Sequence, residues 1–255
     1  MNALRLWSLA LVMVVAEPAR ADEEDEAEAP ASARAAADSG AFSPWTLSPR
    51  SDTQRALVFL MGGYDAARGG PTFDSVAEAR LVDRLAVRLG ASYTGPDGTM
   101  RPRFAAKLDA LRQETHGVDL AIVGGYEPNG FNNVAALAFT AAVGRRFGDV
   151  TLVGNLGFGA GLEDDERYGA ASVLASVRVA PALRLGLDSR LRLDLEHGHD
   201  PQGEAAWELT SGPLATFTLG HFALTGGVGL SAVRFHTEDR SHVGALGQLG
   251  VGSVF

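Results

Sequence analysis

The stretch ALRLGLDSRLRLDL, residues 182–195, decides the fold. Leu183, Leu185, Leu187, Leu191, Leu193 and Leu195 recur at every second position, interrupted only by Ser189. Arg184, Asp188, Arg190, Arg192 and Asp194 fill the positions between them. A period of two is that of an extended strand, whose successive side chains point to opposite faces. At roughly 3.3 Å per residue the stretch spans about 45 Å, longer than most soluble strands. A tilted strand crosses a bilayer in about 9–11 residues. One face of this strand is therefore suited to lipid, and the other to a polar interior.

The same alternation recurs along the chain. Val150, Leu152, Leu156, Phe158 and Ala160 oppose Thr151 and Asn155. Ala171, Val173, Ala175, Val177 and Val179 oppose Ser172, Ser176 and Arg178. Trp207, Leu209, Ala215, Phe217 and Leu219 oppose Glu208, Thr210, Thr216 and Thr218. Twelve strands are expected, over 55–62, 72–82, 84–94, 102–114, 118–127, 133–144, 149–160, 167–179, 182–196, 205–219, 221–236 and 241–255. Residues 102–114 also satisfy helical spacing through Leu108, Leu111 and Arg112.

The connections alternate in length. Tight turns are expected at Asp83, His116-Gly117, Arg145 to Gly148, Ala180-Pro181 and Gly220. The intervening connections are longer and rich in Gly, Pro, Asp and Asn, as in Tyr64 to Pro71, Gly95 to Arg101 and His197 to Glu204. Short turns at one end and longer loops at the other are expected of a transmembrane barrel. Tyr93, Phe104, Tyr126, Phe158, Tyr168 and Trp207 map near the long-loop rim. Phe217, Phe222 and Phe255 map near the short-turn rim, completing two aromatic girdles.

Upstream lies a different kind of sequence. Leu6 to Ala16 is an apolar run too short for a helical membrane span, and Ala19-Arg20-Ala21 has the form of a signal-peptidase site. Residues 1–21 are read as a cleaved secretory signal. Residues 22–40 carry seven acids against Arg34, and so hold most of the formal charge of -9. Such a stretch is expected to be a disordered, solvated spacer. The organisation is thus a signal peptide at 1–21, an acidic, Pro- and Ala-rich disordered or docking segment at 22–54, and a barrel at 55–255. Pro44, Trp45 and Pro49 mark a part of the middle segment able to dock on, plug or cover the lumen. The acidity argues against a nucleic-acid partner. The absence of Cys excludes disulfides and thiolate chemistry.

The segment 243–255 alternates Val243, Ala245, Leu249, Val251 and Phe255 on one face. With this strand ending in Phe255, the chain resembles bacterial outer-membrane β-barrel proteins. Gly62-Gly63-Tyr64-Asp65, His116-Gly117-Val118-Asp119 and Gly186-Leu187-Asp188-Ser189-Arg190 are similar to segments of an uncharacterised family of such barrels, which brings no activity to carry over. The resemblance implies an all-β, antiparallel, up-and-down transmembrane barrel in the outer membrane of a Gram-negative cell, with both termini in the periplasm. It also implies lipid as a partner, and an assembly machinery that reads Phe255. Closure accounts for such a fold physically, since only a closed sheet leaves no unpaired strand edge in lipid.

Twelve strands lie between eight, whose interior side chains fill, and sixteen, which leave a channel. The inward faces carry small residues, including Ala121, Gly125, Gly157 and Gly186, which leave room for water. They also carry charge. Arg178, Arg184, Arg190 and Arg192 come from adjacent strands and form a basic wall. Together with Asp188 and Glu208 they are the candidates for lining and selectivity. Arg-lined pores favour anions, so passive passage of small polar or anionic solutes is expected. The competing expectation is that these arginines pair with Asp188, Asp194 and Glu208 in a network that closes a structural or loop-presenting barrel. No cofactor or metal is expected. Glu196-His197-Gly198-His199-Asp200 is read as a solvated loop, since His-x-His alone is unspecific. Glu163-Asp164-Asp165-Glu166 is read as a loop tip. No Gly-x-Ser-x-Gly elbow occurs, and no His lies in a recognisable triad, so the chain is read as non-enzymatic.

Overall fold

The computed structural model describes residues 33–50, 55–95, 100–128, 135–162, 166–195 and 205–255. The signal region, residues 22–32 of the acidic stretch and the Glu196–Asp200 loop lie outside the described residues. So do residues 163–165.

Twelve antiparallel strands form one closed barrel. They are β1 (Ala56–Asp65), β2 (Gly70–Val82), β3 (Leu85–Thr94), β4 (Met100–Leu111), β5 (Asp119–Glu127), β6 (Ala136–Phe147), β7 (Val150–Gly161), β8 (Arg167–Ala180), β9 (Leu183–Asp194), β10 (Ala205–Leu219), β11 (Phe222–Phe235) and β12 (His242–Val254). Each pairs with its sequence neighbours, and β1 closes on β12 with Leu57 opposite Val254. Beyond the ladder, Phe255 donates its N–H to Ala56 O at 2.9 Å and accepts from Arg55 N–H at 2.9 Å. Closure leaves no free edge, which is what a sheet in lipid requires.

The alternation in the sequence becomes two surfaces. Leu156, Val173, Leu187, Leu224, Leu249 and Val251 are among the large apolar side chains exposed on the outside. Asp188, Lys107, Glu208, Thr225 and Ser231 are buried inside. An apolar exterior around a polar interior inverts a soluble protein and suits lipid.

Residues 102–114 are resolved in favour of strand. β4 is followed by one helical turn, α2 (Gln113–His116), which Gly117 terminates in the left-handed conformation. The β6 strand runs through Phe147, into the turn expected at 145–148. The connection is Gly148-Asp149, where Gly148 has φ 59°. Positive φ is costly for other residues, so this glycine fixes the reversal. Phe104, Tyr126 and Phe158 are exposed on the outer surface towards the long-loop end. Phe217, Phe222 and Phe255 are exposed towards the other end. Tyr168 departs from the expected girdle. Its position is in phase with Ser172 and Ser176, so it points inward, where its hydroxyl donates to Glu127 Oε2 at 2.7 Å.

The expected disorder over 22–40 does not extend to residues 33–40. Ala33–Asp38 form a helix, α1, with Ala33, Ala36, Ala37 and Asp38 buried. The physical reason is local. Small alanines favour helix, and the inner face of β1 is apolar through Leu57, Phe59 and Met61, giving α1 a surface to bury against.

Candidate functional site

Residues 33–50 form a strap across the lumen. It starts at the short-turn end, where Ala33 N–H donates to Gly220 O at 3.0 Å. Ser39 Oγ donates back to Ala36 O at 2.8 Å, and Gly40, at φ 84°, lets the chain leave the helix. Phe42 then packs edge-on against Phe59, with ring centroids 5.8 Å apart. Apolar contact fixes this half of the strap.

The second half is held by polar contacts to successive strands. On β9, Asp188 accepts from the Thr46 hydroxyl at 2.7 Å, from the Ser43 hydroxyl and from Trp45 N–H. On β7, the Asn155 amide, assigned the orientation that satisfies both its oxygen and its nitrogen, accepts from Leu47 N–H at 2.6 Å and donates to Leu47 O at 3.2 Å. On β6, Gly144 gives Pro49 room, since a Cβ there would stand 2.6 Å from Pro49 Cγ. On β4, Lys107 Nζ donates to Arg50 O at 2.8 Å. Arg50 itself reaches Glu114 beside the short-turn end at 2.8 Å. Gly144 thus makes room for the strap rather than for water.

Beyond the strap, towards the long loops, the wall is charged. Arg103 Nη2 bonds both carboxylate oxygens of Asp74 at 2.9 Å. Level with the end of the strap rather than beyond it, Glu78 lies 3.3 Å from both Arg88 and Lys107. Glu208 joins Arg68 at 3.0 Å and Arg190 at 3.3 Å. The Arg192 guanidinium lies 5.7 Å from the centre of the Tyr168 ring, within cation–π range. Two cavities occupy this space, of about 230 Å³ and about 60 Å³. Both have Trp45, Asp74, Arg103, Arg190 and Arg192 in their walls.

The structure divides the basic wall in two. Arg190 and Arg192 line the cavities. Arg178 and Arg184 lie towards the short-turn end, and both bind Asp38 of the strap, Arg184 Nη1 at 2.6 Å. Of the expected network with Asp188, Asp194 and Glu208, the pairing with Glu208 forms and the rest is corrected. Glu208 takes Arg190, while Asp188 serves the strap and Asp194 meets His236 at 2.8 Å. Asp38, Ser43 and Thr46 were not singled out in the sequence, nor were Asp74 and Arg103. The last two had a signal, being in phase with Glu78 and Lys107 on their strands.

No protein-family model and no curated sequence matches the chain. Among solved structures, the barrel is similar to the NanC porin, with a TM-score of 0.60 and 5% identity, covering 78% of this chain and 99% of that one. A bacterial polysaccharide outer membrane secretin aligns with a TM-score of 0.42 and 11% identity, over 79% of this chain and 99% of that one. The likeness to the porin is one of fold, a closed antiparallel barrel, which in this chain has twelve strands and an apolar exterior.

Proposed function

We propose that the protein is an outer-membrane channel for small polar or anionic solutes, narrowed from its short-turn end by residues 33–50. One observation carries the reading. Arg103 from one side of the barrel and Arg190 and Arg192 from another line a common lumenal cavity of about 230 Å³. Basic side chains around a water-accessible passage lower the barrier to anions. In this reading the short turns and both ends of the described chain face the periplasm, and Phe255 on the outer rim is the group an assembly machinery reads. The chain acts without enzymatic chemistry.

A second reading has its own observation. The strap bonds to β4, β7 and β9, as a permanent closure of a structural barrel would. Single-channel recording in a planar bilayer separates the two, using the refolded chain with and without residues 33–50. Discrete steps with anion preference in either form support the channel. Silence from both forms, each shown to be a folded barrel, overturns it in favour of the structural reading.

A further inference from the structure

Arg178 and Arg184 are register partners on β8 and β9, so two cations stand directly opposite one another. Like charges in that position destabilise a strand pair. Arg184 is nevertheless held in place. Its Nη2 donates to Thr151 Oγ1 at 2.9 Å, to Ser176 Oγ at 3.1 Å and to Asp149 O at 3.1 Å. Its side chain is only 5% exposed, and its buried Nε has no hydrogen-bond partner. The wall alone therefore builds a two-arginine fork aimed into the lumen, with donor capacity left over. A planar guanidinium pair of this kind suits a carboxylate or a phosphate. Asp149 of the wall reaches Arg178 Nη1 at 3.3 Å, but the carboxylate that bonds both arginines is Asp38 of the strap.

We propose that the Arg178–Arg184 fork is a lumenal binding site for a carboxylate or phosphate group of a free solute, and that Asp38 fills it as an internal ligand. Solute anion and strap then compete for one site. Asp38 sits at the end of α1, two residues before Gly40, so its release frees the point where the chain turns into the polar half of the strap. The opening of the lumen by solute rests on the channel reading; the binding site does not.

The test uses the full chain, refolded in zwitterionic detergent, and inorganic phosphate as the probe. Calorimetric titration should give saturable binding to Asp38→Asn. Wild type should bind much more weakly, because its own carboxylate must first leave. Asp38→Asn combined with Arg184→Gln should lose the binding. The absence of anionic lipid assigns any binding to free phosphate. Folding of each variant is checked by its heat-dependent shift in gel mobility, and Asp38→Ala replaces any Asp38→Asn preparation that fails it. The proposal is overturned if a folded Asp38 variant binds phosphate no better than wild type, or if Arg184→Gln leaves that binding intact. Conductance is read separately. If no form conducts, including one lacking residues 33–50, the channel reading fails while the calorimetry still decides the site.

Discussion

Thr46 donates its hydroxyl hydrogen to Asp188 at 2.7 Å, and this bond ties the crest of the strap to the middle of β9. Asp188 is fully buried, and Ser43 and the Trp45 N–H use it as well. Removing the carboxylate leaves the Thr46 and Ser43 hydroxyls without this acceptor, while Trp45 N–H keeps only Ser43 Oγ at 3.3 Å. An unsatisfied buried polar group costs about 1–3 kcal/mol. Asp188→Ala should destabilise the barrel by that order, read from urea unfolding followed by tryptophan fluorescence in detergent. Asp188→Asn keeps one acceptor oxygen and should cost less. Because strap donors cover the carboxylate, Asp188→Asn should leave the ion preference of the full chain unchanged, which a reversal-potential measurement checks. A shift in preference would return Asp188 to the permeation path.

Arg190 and Arg192 lie in phase on β9 and face the cavity. At about 6 Å in a water-like dielectric, one unit charge changes an ion's energy by about 0.7 kcal/mol, or roughly threefold in partition. An anion loses and a cation gains that amount, so Arg192→Gln should lower the anion-to-cation permeability ratio about tenfold at low salt. Glu208→Gln should raise it, since Glu208 offsets Arg68 and Arg190. Both effects should shrink in concentrated salt as screening shortens their reach. Reversal potentials across a salt gradient provide the measurement. Equal ratios for the two variants would disconnect these charges from permeation.

The barrel was legible because its physical demand is periodic. Lipid outside and water or polar groups inside impose a two-residue alternation, and β9 writes it in Leu and Arg. The boundaries of β10, Ala205–Leu219, coincide with those read from the sequence for the same reason. Tyr168 stands near the long-loop rim as expected but on the inner face, because rim position does not decide the face; its phase with Ser172 already assigned it to the interior. The strap was less legible. Its sequence from Ala33 to Arg50 is small and polar, and its order comes from partners distant in the chain, such as Asp38 with Arg184. One signal was available in β1. Leu57, Phe59 and Met61 alternate with Val58 and Leu60, so that strand is apolar on both faces. An inner face of that kind in a water-filled barrel needs a cover, and α1 with Phe42 provides it.

At the short-turn end, Asp83 between β2 and β3 accepts from Arg112 Nη2 at 2.8 Å. The Arg112 guanidinium holds the Asp83 carboxyl below the usual carboxylate range. A lowered folded-state pKa contributes stability that is full above the unfolded value and is lost as pH falls through the folded value. Asp83→Asn should thus flatten the acid limb of a stability-against-pH profile and leave the shape above pH ~5 unchanged. The effect should be small, because the Asp83 side chain is 70% exposed and solvent screens the pair. Unfolding midpoints measured across pH 2 to 7 test this. An unaltered acid limb would show that the pair contributes nothing to folding.

Phe42 is 2% exposed, and its ring occupies the space beside Gly252 where a side chain would otherwise stand. Strap and wall are thus shaped to each other at a single position on β12. Phe42→Ala removes a buried ring and should cost about 3–5 kcal/mol if the cavity does not collapse. Gly252→Val attacks the same contact from the wall. Its side chain would collide with Phe42, and the backbone of β12 cannot retreat because Gly252 pairs with both Phe59 and Ala223. The strap must give way instead. Gly252→Val should therefore leave strand content unchanged by circular dichroism while making the segment around Phe42 accessible to protease in detergent. In the channel reading its conductance should approach that of the chain lacking residues 33–50. A Gly252→Val barrel with an intact, protease-resistant strap would mean that the wall yields first, and that Phe42 does not fix the position of the strap.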